Sequence, residues 1–208
     1  MNNSAIVFPP AVRRAQAEHG TARAYDAKIE AGFPDSVTPE LAAFIAEQDT
    51  AFLGTASADG APYIQHRGGP KGFLKVLDKQ TLAFTDYAGN RQYITQGNLS
   101  ENSKAYLFVM DYAHRRRVKI WGEARVVEDD EALTTSLMPK GYRARPEQVI
   151  LFKIAAWDTN CPQHIPQKFD AADVAAVLAA KDQKIAELEA EVAALKGQPV
   201  ASNQGADS

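Results

Sequence analysis

Between Ala51 and Asp158 the chain breaks into short β-like runs: AFLGTAS, APYIQHR, GFLKVLD, TLAFTDY, KAYLFVMDY, RRVKIWGEARVVE and QVILFKIAAWD. Each is rich in β-branched and aromatic residues, and turn residues separate them. Asp59-Gly60 joins the first two, because an Asp-Gly pair tolerates the positive φ of a tight hairpin. About seven strands with short helices between them predict a mainly β, α+β fold, a small antiparallel barrel flanked by helices. NRQYITQGNLSEN reads as a helix and turn, and residues 130 to 142 as another short helix.

The flanks are helical. Residues 11 to 31 are rich in Ala, Arg, Glu and Lys until Gly32 and Pro34 stop the run, which predicts a single helix. In DSVTPELAAFIAEQD, Thr38 is the expected N-cap and Pro39 the first helical residue, with Leu41, Phe44 and Ile45 on one face. After Phe169, Leu178, Ile185 and Val192 recur every seventh residue, and Lys181, Leu188 and Leu195 follow each by three, forming an a/d seam. Such a helix folds back on its own barrel or pairs with a second copy. The charges favour a parallel pair, with Lys184 facing Glu189 and Glu191 facing Lys196 of the other strand. The expected organisation is therefore an N-terminal helical segment (1–37), a barrel domain (38–169), a coiled-coil helix (170–196) and a polar, disordered tail (197–208).

With 208 residues, 45% of them hydrophobic, the chain has material for one core plus extensions. A formal net charge of -3 with mixed signs argues against a nucleic-acid or anionic-membrane partner. No membrane-length apolar run or secretory leader is evident, so a cytoplasmic location is expected. One cysteine excludes an internal disulfide and any multi-cysteine metal site, and no metal is expected.

Three places put cations into the β body. Strand alternation in RRRVKIWGEARVV sets Val118, Ile120, Ala124 and Val126 on one face and Arg117, Lys119, Trp121, Glu123 and Arg125 on the other. That second face either stands in solvent or holds a ligand. In FTDYAGNRQYITQ, a strand end meets Gly89, Asn90 and Arg91 at a helix start. This is plain turn chemistry, or a cradle of N–H groups and a guanidinium for phosphate oxygens. In QHRGGPKGF, paired glycines follow Gln65, His66 and Arg67, as a wide loop or as close backbone approach to a flat ligand.

Together, in this order, these segments resemble the pyridoxamine 5'-phosphate oxidase-like family of FMN-binding split barrels, over roughly residues 38 to 169. The resemblance implies a split β-barrel of six or seven strands and a homodimer with FMN in each of two clefts between subunits. TDYAGNRQ is similar to the family's strand-turn segment, which implicates Thr85, Asn90, Arg91 and Gln92; Gln92 stands where the family more usually has lysine. RRVKIWGEA is similar to the strand whose first polar residue reaches the flavin, implicating Arg117 and, further along the same face, Lys119. HRGGPKGFLK matches the first flavin-binding strand and implicates Gln65, Arg67, Gly68 and Lys75.

The vitamin B6 oxidase itself ends in a strand with a tryptophan and an arginine-rich substrate motif. This chain instead reads NCPQHIPQKF, similar to a segment in a subgroup of split-barrel flavoproteins. Cys161 and His164 lack the further partners that zinc requires, and no third group orients them as a nucleophilic pair. The prolines make a stiff connector that presents Gln163 and His164 to the flavin or to a substrate on it, which makes these two the candidate catalytic residues. The expected function is an FMN-dependent oxidoreductase-like flavoprotein moving electrons between a small-molecule substrate and oxygen or a nicotinamide donor. The alternative is a non-catalytic flavin- or haem-binding protein whose coiled coil mediates assembly.

Overall fold

In the computed structural model, which describes residues 2–159 and 162–197, the turn residues divide the chain much as its sequence predicts. The strands are β1 (Thr50–Ala56), β2 (Pro62–Gly68), β3 (Lys75–Val76), β4 (Thr81–Tyr87), β5 (Lys104–Asp111), β6 (Arg116–Val127) and β7 (Pro146–Thr159). All pair antiparallel in one sheet of order β2-β1-β5-β6-β7-β4-β3. The helices are α1 (Ser4–Val7), α2 (Pro10–Glu18), α3 (Ala22–Ala31), α4 (Pro39–Ala46), α5 (Ile94–Glu101), α6 (Glu131–Leu137) and α7 (Ala171–Gly197). The chain divides into two compact units, Met1–Pro166 and Gln167–Ser208.

Strand alternation builds the core. Leu53 of β1, Leu107 and Val109 of β5, Ile120 of β6 and Ile150 and Phe152 of β7 are fully buried, and Leu41, Phe44 and Ile45 of α4 join the same cluster. On β6, Val118, Ile120 and Ala124 face inward, while Arg116, Glu123 and Arg125 are exposed. Alternation on β6 thus turns apolar side chains to the main core, while smaller apolar clusters cover part of the opposite face, around Ala83, Val149 and Leu137 and around Phe33 and Ala156. At α4 the cap forms as the residues dictate: Thr38 Oγ1 accepts from the Leu41 N–H at 3.2 Å, and Pro39 opens the helix.

Two elements differ from expectation. The single helix expected over 11 to 31 is a hairpin of α2 and α3, because Gly20 adopts φ +70°, a left-handed conformation that ends a right-handed helix. Arg13 staples the pair, bonding Asp26 at 2.6 Å and the Ala22 carbonyl at 3.2 Å. In GFLKVLD only Lys75 and Val76 are strand, since Phe73 and Leu74 turn into the core and are each 2% exposed.

The first residues lie along β7. Asn3 Nδ2 donates to the Phe33 carbonyl at 2.9 Å and to the Ala155 carbonyl at 2.8 Å, and its Oδ1 accepts from the Phe33 N–H. Trp157 donates its N–H to the Pro34 carbonyl and its ring N–H to Ser36. Asp158 receives both Lys28 at 2.6 Å and Lys119 at 3.2 Å.

Taken by itself, α7 is a 27-residue helix with a Lys184–Glu187 pair at 3.2 Å. Among the described residues no helix is long and apolar enough to cross a membrane. Cys161 and the polar tail beyond Gly197 lie outside the described residues.

The β6–β7 ladder contains one bulge: Trp121 pairs with Ala156 but Gly122 with Ile154, so Ala155 is extra. A Cβ on Gly122 would lie 2.1 Å from the Lys153 carbonyl oxygen, which is backbone and cannot swing aside. Gly122→Ala is therefore expected to destabilise by about 3 kcal/mol or more, read as a lower urea midpoint; a parental midpoint refutes the assignment.

Candidate functional site

Arg67 leaves β2 pointing toward β4, a strand to which β2 is not hydrogen-bonded in the sheet. Its Nη1 donates to Asp86 of β4, and its Nη2 donates to Thr95 Oγ1 at 2.9 Å. Thr95 in turn donates to Gln65 Oε1 at 3.1 Å, and Gln148 Nε2 donates to the second Asp86 oxygen at 3.0 Å. Arg67 is only 8% exposed. Burial pulls its pKa down from the ordinary value, and the Asp86 carboxylate pulls it back up. One donor is left over, since Arg67 Nε is buried without a partner.

Beside this pair, Thr85 is 2% exposed and its Oγ1 also lacks a partner. Both residues, with Gln65 and Gly68, line one pocket of about 160 Å³. A Cβ at Gly68 would approach the His66 ring at 2.9 Å and the Asp49 carbonyl oxygen at 3.0 Å, so a larger residue there requires both neighbours to shift.

The loop from β4 into α5 forms the adjoining wall. Asn90 Oδ1 accepts from the Gln92 N–H at 3.2 Å, a local Asx turn. Arg91 and Tyr93 both take positive φ, 55° and 52°, which is strained for side chains of that size. Glu147 anchors Tyr93, accepting from its hydroxyl at 2.9 Å, and lies 3.9 Å from Arg91 Nε. That hydrogen bond raises the Tyr93 pKa. Helix α5 starts without a side-chain cap. Arg67, Asn90, Arg91 and Gln92 share a pocket of about 50 Å³, room for a small anion but not for a ring system.

Arg117 lies elsewhere. It lines a mostly apolar pocket of about 340 Å³ with Leu41, Phe44, Trp157 and Pro162, and its Nε is buried without a partner. The two pockets have no residue in common. Lys119 is taken up by Asp158 and sits over the Trp121 ring at 5.3 Å. Lys75 is on β3, paired with Ala83. Gln163 and His164 are exposed on a tight turn next to Pro162, with His164 at φ 63° and Ile165 buried as its anchor. The structure thus gathers Gln65, Arg67, Gly68, Thr85, Asn90, Arg91 and Gln92 at neighbouring pockets and leaves Arg117 and the 162–165 turn at another. Asp86, Thr95, Glu147 and Gln148 complete the first group without having been singled out from sequence. The one available signal was Asp86, the single charged residue of its strand.

The turn leading to Arg117 is also built on a buried carboxylate. Asp111 accepts from the His114 N–H at 2.9 Å, from the His114 ring and from Arg116 at 2.7 Å. Burial raises its pKa, but these hydrogen bonds outweigh burial and hold the carboxyl below its usual range. A larger cavity of about 810 Å³, between α1 and the β6–β7 bulge, is lined by Trp121 and Glu123 of the polar β6 face but by none of the residues assigned to flavin or catalysis from sequence. Among the described residues no three of His, Cys, Asp and Glu gather as a metal site.

A family model described as pyridoxamine 5'-phosphate oxidase matches residues 37–161. Similar solved structures include HupZ of Group A Streptococcus, 16% identical over 64% of this chain and 99% of that one, with a TM-score of 0.49. An FMN-binding protein of Syntrophomonas wolfei is 13% identical over 69% and 97%, TM-score 0.46. General Stress Protein 26 of Bacillus anthracis is 16% identical over 58% and 91%, TM-score 0.44. No curated protein sequence matches the chain.

Asp86→Ala leaves the Arg67 guanidinium buried beside no carboxylate and is expected to cost about 3–5 kcal/mol in urea unfolding. Asp111 gives a pH signature. With its folded pKa below the unfolded value, its stabilisation is present at neutral pH and is lost as pH falls through the carboxylate range. Between about pH 5 and pH 3, Asp111→Asn is expected to lose less stability than the parent, and parallel profiles refute the pairing.

Proposed function

The chain belongs to the pyridoxamine 5'-phosphate oxidase family, and on that premise we propose that it is a homodimeric flavoprotein, holding FMN between its two copies. In this reading it passes electrons between a small substrate and oxygen or a nicotinamide donor. One observation carries the proposal. Among the described residues, the buried side-chain polar atoms without a partner are Arg67 Nε, Thr85 Oγ1 and Arg117 Nε. All three lie in segments that resemble flavin-binding ones, and each orphaned group costs about 1–3 kcal/mol until a ligand satisfies it.

The residues divide the work. Arg91, the N–H groups at the start of α5 and the Arg67 edge suit a phosphate. Arg67 keeps Asp86, whereas the long, exposed contact of Arg91 with Glu147 is released at little cost. Leu41, Phe44 and Trp157 of the Arg117 pocket suit a flat ring. In this reading, as the family likeness implies, the Arg91 half and the Arg117 half of each site come from different copies. When bound, FMN supplies the redox chemistry that no side chain here has. Gln163 and His164, beside the rim residue Pro162, donate hydrogen bonds to the ring edge or to a substrate anion.

Purified protein is expected to show a flavin absorption spectrum and to release FMN by mass. A haem spectrum without flavin overturns the reading. Removing one charge-assisted contact in Arg91→Ala or Arg117→Ala is expected to weaken FMN binding about ten- to hundredfold. Mixed and refolded together, the two variants are expected to regain roughly a quarter of the tight sites, since half of each site comes from each copy of a twofold dimer. No recovery on mixing places both arginines in one chain's site. His164→Ala is expected to keep its flavin while changing the rates of reduction or reoxidation; unchanged rates leave the residue without a catalytic role.

A further inference from the structure

The flavin reading makes no use of α7, which carries an apolar seam with no covering. Val174, Leu178, Ile185, Leu188, Val192 and Leu195 are each between 44% and 61% exposed, and no residue of this helix is buried. Their spacing alternates between the a and d positions of a heptad, with Lys181 at the one polar d position. Each exposed aliphatic side chain gains from removal from water, and on a helix this regular only a complementary stripe covers all of them together.

We infer that α7 pairs in parallel with the α7 of a second copy of this chain, as a two-stranded coiled coil. The choice of occupant rests on charge. In the parallel register Lys184 faces Glu189 of the partner subunit, and Glu191 faces Lys196 of the partner subunit; twofold symmetry makes four attractive contacts. An antiparallel register that pairs Ile185 with Leu188 still sets Lys184 against Glu191, but it sets Asp182 against Glu189. Attraction and repulsion then cancel.

The seam chemistry agrees. β-Branched Ile185 and Val192 at a, with Leu188 and Leu195 at d, favour two strands. Lys181 meets its own symmetry mate, where its stem lies along the seam while its ammonium stays in water, and one polar layer fixes the register. The Lys184–Glu187 contact within the helix is exposed at both ends, 65% and 51%, so Lys184 is free to turn outward to the other strand.

The test uses the full chain with Cys161→Ser and a spin label on Ala172→Cys, an outward position near the start of α7. Dipolar spectroscopy is expected to give a narrow label–label distance of roughly 20 Å, about two helix diameters. An antiparallel pair places the labels roughly 40 Å apart, from the rise per residue, and a broad distribution means no pair; either overturns the inference. Lys184→Glu is expected to weaken pairing roughly tenfold and to reduce the short-distance peak, and adding Glu189→Lys to restore it. Within one helix these residues are five apart and point about 140° away from each other, so rescue reports contact between helices. Failure to rescue overturns the register. Flavin content is expected to stay at the parental level in all these variants, so loss of the coil and failure of the flavin reading are separate results.

Discussion

The Arg67–Asp86 ion pair links two strands that the sheet itself leaves unpaired. A sheet ordered from β2 to β3 has two open ends, and backbone hydrogen bonding does not join β2 to β4. Side chains make that connection instead, through a guanidinium, a carboxylate and the amide and hydroxyl groups that saturate them. A charge pair this deeply buried is stabilising only while it is whole, because either member alone is a desolvated ion. The opening in the barrel is therefore polar and geometrically fixed, and a polar, rigid edge is the right place for a ligand that carries charge.

The same economy explains why the cations are unequal. Arg67 is buried and committed, Lys119 is held by Asp158, and Arg91 is loosely held on a strained loop. Strain at Tyr93 is held by Glu147 of β7, which accepts its hydroxyl, while the same carboxylate only lies near Arg91. Electrostatic freedom at the surface is thus arranged by rigidity beneath it.

Much of this was legible in the sequence where a local rule decides the outcome. Strand alternation set the inward face of β6, Thr38-Pro39 fixed the start of α4, and the order of short motifs pointed to the family. Gly20 was legible too, and the composition of residues 11 to 31 outweighed it; one left-handed glycine is enough to split a helix whose two halves have no buried residues to hold them in line. The partners of Arg67 were not legible. Asp86 is nineteen positions away and Gln148 lies on a third strand, so their meaning depends on how the sheet curls, which no local pattern encodes. Likewise, Arg117 and Arg91 look alike on paper, and only the tertiary arrangement assigns them to different pockets.

The contacts of Asn3, Trp157 and Asp158 bear on what counts as the smallest foldable piece. The family match begins at residue 37, yet the backbone of β7 is bonded by Asn3 and its Trp157 by Pro34 and Ser36, all upstream of that point. A fragment starting at residue 37 would strip the Trp157 indole of its Ser36 acceptor, take one of its two lysines from Asp158 and remove the Asn3 contact to β7. The leading helices pack against the sheet through these contacts, so the span of the family match leaves out part of what covers β7.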